Sequence, residues 1–232
     1  MLGIYNLIMK IAVAQLNLMV GALSQNAEKI LQAAQSAVAA GAQMMLTSEL
    51  SICGYPPEDL LLRPKFIGDC LTASARLAEQ LPPELYVVLG LPTRSEQGLR
   101  NSLRVYHGGR IVAEYHKREL PNYAVFDEKR YFTSANAACV FECAGVKCGL
   151  LICEDMWLPT AAGASKAAGA ELLLVANGSP YHTEQQSARR AQAGARVRET
   201  GLPLVYANCV GGQDELVFDG DSFALNAKGV EV

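Results

Sequence analysis

A chain of 232 residues, half of them hydrophobic and 19% charged, can bury one sizeable core and reads as a single soluble α/β domain. The net charge of −3, without any stripe of Lys and Arg, argues against nucleic acid as a partner, and no apolar run approaches the ~20 residues that span a bilayer. Seven cysteines, an odd number with no CxxC or HxxxH pair among them, exclude the usual zinc spacings and read as reduced thiols of a cytoplasmic protein. Residues 1–8, MLGIYNLI, lack a basic start and a cleavage site; they read as an extension ahead of a domain over 9–232.

In chain order, Ile8 to Leu16 is a β-rich run that predicts a strand. Ser24 is the expected N-cap of a helix reaching Ala40, with Ala27, Ile30, Leu31, Ala34 and Val38 at helical spacing and Gly41 ending it. Met44 to Thr47 is the next strand and completes a βαβ unit. Ser51 to Arg63 reads as a loop because of Gly54, Pro56 and Pro57; a helix from Pro64 to Gln80 and a strand from Tyr86 to Leu91 follow. Asn101 to His107 and Arg110 to His116 flank Gly108-Gly109, a hairpin signal. The segment RELPNYAVFDEKRYF has no usable period and is expected to be a loop. Cys139 to Cys143 and Val146 to Cys153 form a second hairpin around Ala144-Gly145. A helix from Pro159 to Gly169, a strand from Glu171 to Ala176, a helix from Thr183 to Thr200 and a strand from Leu204 to Val210 follow. Val217 to Leu225 reads as one strand, and the chain stops at Val232 inside what reads as another, as a domain lacking its last C-terminal elements would.

Three residues share a position. Glu49, Lys117 and Cys153 each follow an apolar strand at its carboxyl end, and if those strands are neighbours the side chains converge on one sheet edge. A cysteine can attack an amide, a glutamate can take the thiol proton and later activate water, and a lysine can stabilise the oxyanion. Taken singly each has a plainer reading: a packing cysteine, a solvated loop acid, a surface lysine. His116 or His182 beside Cys153, oriented by Asp155, is a rival set that spacing alone leaves open.

The contexts LTSELSICGYPPEDLL, YHKRELPNYAVFDEKRYF and GLLICEDMW, in that order, resemble the nitrilase superfamily of carbon–nitrogen hydrolases. LPNYAVFDEKRYF and NGSPYH are closest to the glutaminase domains of glutamine-dependent NAD synthetases. The resemblance covers the chain from Met9 and implies a four-layer α-β-β-α sandwich of mixed sheets. It also implies hydrolysis of the glutamine side-chain amide through a thioester on Cys153, with Glu49 as base, Lys117 at the oxyanion and Glu128 as an additional site glutamate. Tyr123, Phe126, Glu154 and Ser179 match substrate-binding positions. No cofactor is implied for the amide step; ATP and Mg would serve a synthetase domain with an SGGxDS-type ATP-pyrophosphatase loop, a stretch this sequence does not contain. That domain, glutamine and a second copy of the chain are the implied partners. Where the family commonly carries Gly-Lys after NGSPYH, this chain has Thr183, Glu184 and Gln185, which leaves Arg189 as the candidate for the substrate carboxylate. Two other functions remain open: an amidase acting on another small amide, which a substrate panel separates, and an inactive or regulatory glutamine-binding fragment, which binding without turnover would mark.

Overall fold

The computed structural model describes residues 9–232, so the reading of 1–8 as an extension lies outside the described residues. Two five-stranded sheets face each other. The first has the order β1-β2-β3-β4-β5, built from β1 (Ile11–Ala14), β2 (Met44–Thr47), β3 (Tyr86–Ser95), β4 (Gly98–His107) and β5 (Arg110–His116). β1, β2 and β3 are parallel, while β4 and β5 return antiparallel, so two reversals leave β5 pointing the same way as β2. The second sheet has the order β12-β9-β8-β7-β6, from β6 (Val140–Cys143), β7 (Val146–Ile152), β8 (Leu172–Asn177), β9 (Leu204–Asn208) and β12 (Phe223–Leu225). Its central β7, β8 and β9 are parallel and its edges antiparallel. A separate hairpin joins β10 (Val210–Gln213) to β11 (Leu216–Asp219).

The layers follow from the side-chain alternation of the central strands. Met44, Leu46 and Val88 face Cys148, Leu150, Ile152, Leu174 and Ala176 in a core between the sheets. Met45, Val87 and Leu89 turn outward onto Ile30 and Ala34 of α1 (Leu23–Ala39) and Ile67 and Cys70 of α2 (Pro64–Ala78). Leu151, Leu173 and Val175 turn outward onto Met156 of α3 (Glu154–Trp157), Ala161 of α4 (Pro159–Ala167) and Ala193 and Val197 of α5 (Gln185–Thr200). Strands apolar on both faces are what a sheet covered on both sides requires. The result is the expected four-layer α-β-β-α sandwich.

Two local readings need correction. Ser24 is not the N-cap of α1: the helix begins at Leu23 behind Ala22, and no side chain caps it. The polar work at that end is done by buried Asn26, which accepts from Met19 N–H and donates to the carbonyls of Met19 and Ile52. Val217 to Leu225 is not one strand but β11 and β12, separated by a turn in which Gly220 and Asp221 take positive φ. At the chain's end, Glu231 forms an isolated antiparallel bridge with Leu225.

One glycine fixes how closely the first sheet approaches the turn after β2. A Cβ on Gly90 would lie 2.5 Å from Leu50 N and from Ser48 O, both backbone atoms that cannot yield independently. Gly90→Ala is therefore expected to destabilise the protein by about 1–3 kcal/mol and displace the Glu49 turn, measurable by denaturant unfolding together with loss of any activity that needs Glu49.

Candidate active site

β2, β5 and β7 end at Thr47, His116 and Ile152, so Glu49, Lys117 and Cys153 do follow three strand ends. Those strands are not neighbours in one sheet: β3 and β4 separate β2 from β5, and β7 belongs to the facing sheet. The residues meet at one end of the sandwich instead, where the turn after β2 lies against Gly90 of β3 and brings Glu49 toward Asn101 of β4 and the Lys117 side chain. Its Nζ donates to Glu49 Oε1 at 2.7 Å and to Glu128 Oε1 at 2.7 Å, with the ammonium and the Glu49 carboxylate wholly buried.

Each partner is held from another element. Glu49 Oε1 also accepts from Asn101 Nδ2 of β4 at 2.6 Å, and Oε2 accepts from Gly178 N–H, just past β8, at 3.0 Å. The Glu49 carboxylate thus joins both sheets. Glu128 lies in a 3-10 turn, Glu128–Arg130, inside the loop expected from sequence. Its Oε2 is buried and has no hydrogen-bond partner among the described residues.

The charge balance of this cluster governs its protonation. Burial pulls the Lys117 pKa down, but Glu128 and Glu49 outweigh it and hold the ammonium well above the ordinary lysine value. Two carboxylates around one cation leave a buried net negative charge, and Glu128 takes the consequence: burial first, then Glu49, pushes its carboxyl up to about 7 against the pull of Lys117. A carboxyl raised above its unfolded value holds its proton more tightly in the folded protein. Its stabilising contribution is therefore complete below about 4.5 and declines as pH rises to about 7. Glu128→Gln is expected to flatten that decline, so thermal melting followed from pH 5 to pH 8 should fall less in the variant, by several degrees at about 2–4 °C per kcal/mol for a domain of this size.

Cys153 sits at the junction of β7 and α3 with φ 46° and ψ −99°, a positive φ that a non-glycine residue adopts only when its surroundings enforce it. Cys153 N–H donates to Ala176 O of β8 at 2.9 Å, and Cys153 O accepts from Met156 N–H at 2.9 Å. The thiol is nearly enclosed; burial most of all, then Glu49, pushes its pKa up, while the Lys117 charge lowers it. Such a group rests as a thiol and needs a base at the moment of attack.

The rival histidine set does not form. Both oxygens of the fully buried Asp155 are occupied by Tyr115, Arg118, Glu119 and Ile152. His116 pairs with Ser102, and His182 is exposed against Thr183 O.

Around the mouth, the Tyr123 hydroxyl donates to Glu154 Oε1 and Oε2 at 3.0 and 2.9 Å, and the Tyr123 and Phe126 rings meet edge-on at 5.9 Å. Burial raises the Glu154 pKa against the Tyr123 bond and the Lys117 charge. Ser179 is buried behind this rim; its N–H donates to Asn208 Oδ1. Arg189, expected at the substrate carboxylate, is wholly buried and turned inward: it donates to Ser179 Oγ and O, to Pro180 O and to Asp219, the last an ion pair at 2.8 Å. Asn101, Gly178 and Asn208 escaped the sequence reading, because a polar residue inside an otherwise regular strand, or a glycine after one, carries no periodic signal. A cavity of about 70 Å³ lies against Glu128, lined by Tyr55, Leu61, Val125, Phe126 and Phe132. A larger groove, about 940 Å³, runs between α1 and α2 on the outer face and contains none of these residues.

Among known families, residues 10–232 match Carbon-nitrogen hydrolase. The chain belongs to the carbon-nitrogen hydrolase family. Among curated members, the chain is 46% identical over 220 residues to the glutamine-dependent NAD(+) synthetase of Rhodobacter capsulatus, covering 95% of this chain and 40% of that protein. The chain thus spans about 40% of the length of the curated relatives it matches. Among solved structures, the glutamine-dependent NAD+ synthetase of Acinetobacter baumannii, in complex with ADP, aligns with TM-score 0.92 and 37% identity over 96% of this chain and 42% of that one. An amidase of the nitrilase superfamily from Nesterenkonia sp. AN1 aligns with TM-score 0.85 and 27% identity, over 96% of this chain and 84% of that one; this variant carries the acetamide moiety of fluoroacetamide covalently on its active-site cysteine. No helix among the described residues is long and apolar enough to cross a membrane.

Proposed function

We propose that this carbon-nitrogen hydrolase domain cleaves the side-chain amide of glutamine, releasing glutamate and ammonia, and that the ammonia serves amidation of nicotinic acid adenine dinucleotide in an enzyme carrying a synthetase domain. The observation that carries the proposal is the buried Glu49–Lys117–Glu128 cluster beside a thiol held at positive φ, in a chain whose curated relatives are glutamine-dependent NAD(+) synthetases. Glu49 takes the Cys153 proton as sulfur attacks the amide carbon. Lys117, with the Glu154 N–H at the first position of α3, stabilises the oxyanion. Glu49 then delivers the proton to the leaving nitrogen, and ammonia departs from the γ-glutamyl thioester. Water, deprotonated by Glu49, attacks the thioester; collapse returns the thiol and frees glutamate.

On this reading Glu128 fixes the Lys117 ammonium and offers its unpartnered Oε2 to the substrate amide N–H. Tyr123, Phe126 and Glu154 form the rim that receives the amino-acid end of glutamine. Arg189 acts through Ser179, since its guanidinium is bound to that residue and to Asp219. The amide step takes no cofactor; ATP and Mg belong to the synthetase partner. A cytoplasmic setting suits the seven free thiols, and pairing with further copies of the chain completes the reading.

The likeness to the Nesterenkonia amidase, 84% of whose chain is covered, supports a second reading, an amidase for another small amide. A panel of glutamine, ω-amides and N-carbamoyl acids, followed by coupled glutamate detection or ammonia release, separates the two. Preference for glutamine is expected; preference for another amide replaces the substrate, and no turnover of any amide by the folded protein overturns the hydrolase reading.

A further inference from the structure

The Asp155 carboxylate is the point at which the Lys117 segment and the Cys153 turn are tied together. Its Oδ1 accepts from the N–H groups of Arg118 at 3.0 Å and Glu119 at 2.9 Å, the two residues that follow Lys117. Its Oδ2 accepts from the Tyr115 hydroxyl at 2.7 Å, two residues before Lys117, and from Ile152 N–H at 3.0 Å, immediately before Cys153. Asp155 itself lies two residues after the cysteine and is wholly buried, as is Tyr115 but for 2%. One side chain therefore brackets the lysine on both sides, brackets the nucleophile on both sides, and joins β5 of the first sheet to β7 of the second.

The other backbone bonds hold the two residues separately, each within its own sheet: Lys117 N–H donates to Asn101 O of β4 and Cys153 N–H to Ala176 O of β8. Glu49 and Glu128 hold the Lys117 ammonium, but neither donates to or accepts from Cys153 among the described hydrogen bonds. The thiol is positioned by the backbone turn that Asp155 closes. We infer that Asp155 is a positioning residue that sets the separation of the Cys153 sulfur from the Lys117 ammonium, with Tyr115 as its fixed anchor in the facing sheet.

This inference rests on the proposed cysteine mechanism, so its test must fail separately from that mechanism. Asp155→Asn turns an amide donor toward one of two pairs of donors and breaks the clamp; Tyr115→Phe removes one of the four bonds and leaves the ring packing intact. The substrate contacts are untouched in both. The expected result is kcat about 100-fold lower in Asp155→Asn and about tenfold lower in Tyr115→Phe, with KM within about threefold of the parent, because a displacement near 1 Å at the reacting atoms costs on that scale. Should Asp155→Asn not fold, Tyr115→Phe decides alone. A folded variant with unchanged kcat, or with kcat loss matched by a rise in KM, overturns the positioning role. Labelling of Cys153 by chloroacetamide, read by mass spectrometry, gives the second readout. It is expected to be about tenfold slower in Tyr115→Phe by the same displacement argument. If the parent turns over no amide, the hydrolase reading falls and the labelling rates decide for or against the clamp.

Discussion

Cys153→Ala is expected to lose amide turnover by about 10⁴-fold or more while keeping its fold, because no other group in the site can form the acyl intermediate. The substitution removes one sulfur from a side chain 4% exposed and keeps the backbone at φ 46°, so the unfolding midpoint should change little. The hydrogen bonds that shape the turn are made by Cys153 N–H and O, not by the thiol, and they survive. An amide-shaped electrophile such as chloroacetamide should add once to the parent, at Cys153, and not at all to the variant. The remaining thiols are poor competitors: burial pushes Cys143 up to about 11, Cys148 and Cys209 up to about 12, and Cys139 and Cys53 upward as well, while Cys70 is wholly buried. Cys153 is not favoured by a low resting pKa either, since burial raises it too; it is favoured by a base and a cation around the reacting carbonyl. Turnover retained by Cys153→Ala, or label found on another cysteine, would show that the nucleophile has been misassigned.

The strands that carry the site were legible because each is a short apolar run with an abrupt polar end. Thr47, His116 and Ile152 are where those runs stop, and the residues beyond them are drawn into the site. What the runs could not convey is which sheet each strand enters. Glu49 and Lys117 follow strands that two others separate, and Cys153 comes from the facing sheet, so the expected single sheet edge became one end of a sandwich. The choice between carboxylate–lysine and histidine partners for Cys153 was equally closed to spacing. It is decided by Asp155, whose four hydrogen bonds go to Tyr115, Ile152 and the chain after Lys117. The break between β11 and β12 was hidden for a related reason. Asp219 and Asp221 are drawn to Arg189 and Arg190 of α5, about thirty residues earlier in the chain by the connectivity of those pairs, and no local propensity records that pull. Arg189 shows the reverse: its charge suggested a ligand contact, yet its burial among Ser179, Pro180 and Asp219 directs it to the protein.

Lys117→Met should abolish amide turnover and also destabilise the fold in a pH-dependent way. The parent holds two buried carboxylates on one ammonium, each at 2.7 Å. Methionine fills much of the same volume without charge, leaving Glu49 and Glu128 to face each other unpaired, and removing one partner of a buried ion pair costs about 3–5 kcal/mol. The sign of the pH effect follows from the carboxylates. Without the cation the folded Glu128 carboxyl rises further above its unfolded value, so the folded variant binds a proton that the unfolded chain does not. Its stability must then fall as pH increases through that interval and recover as pH decreases. Because Glu128 is already pushed up to about 7 in the parent, the two proteins should be most alike near pH 5 and furthest apart near pH 8. Denaturant unfolding at those two pH values measures the difference directly. Activity should not return at the acid end, where the fold is restored but the oxyanion still lacks its cation. Lys117→Arg should not rescue it: the guanidinium is planar and larger than the ammonium, and the Lys117 side chain has no exposed surface into which it could expand. Equal destabilisation at both pH values would show that the lysine acts by packing alone, and turnover by the methionine variant would remove it from the chemistry.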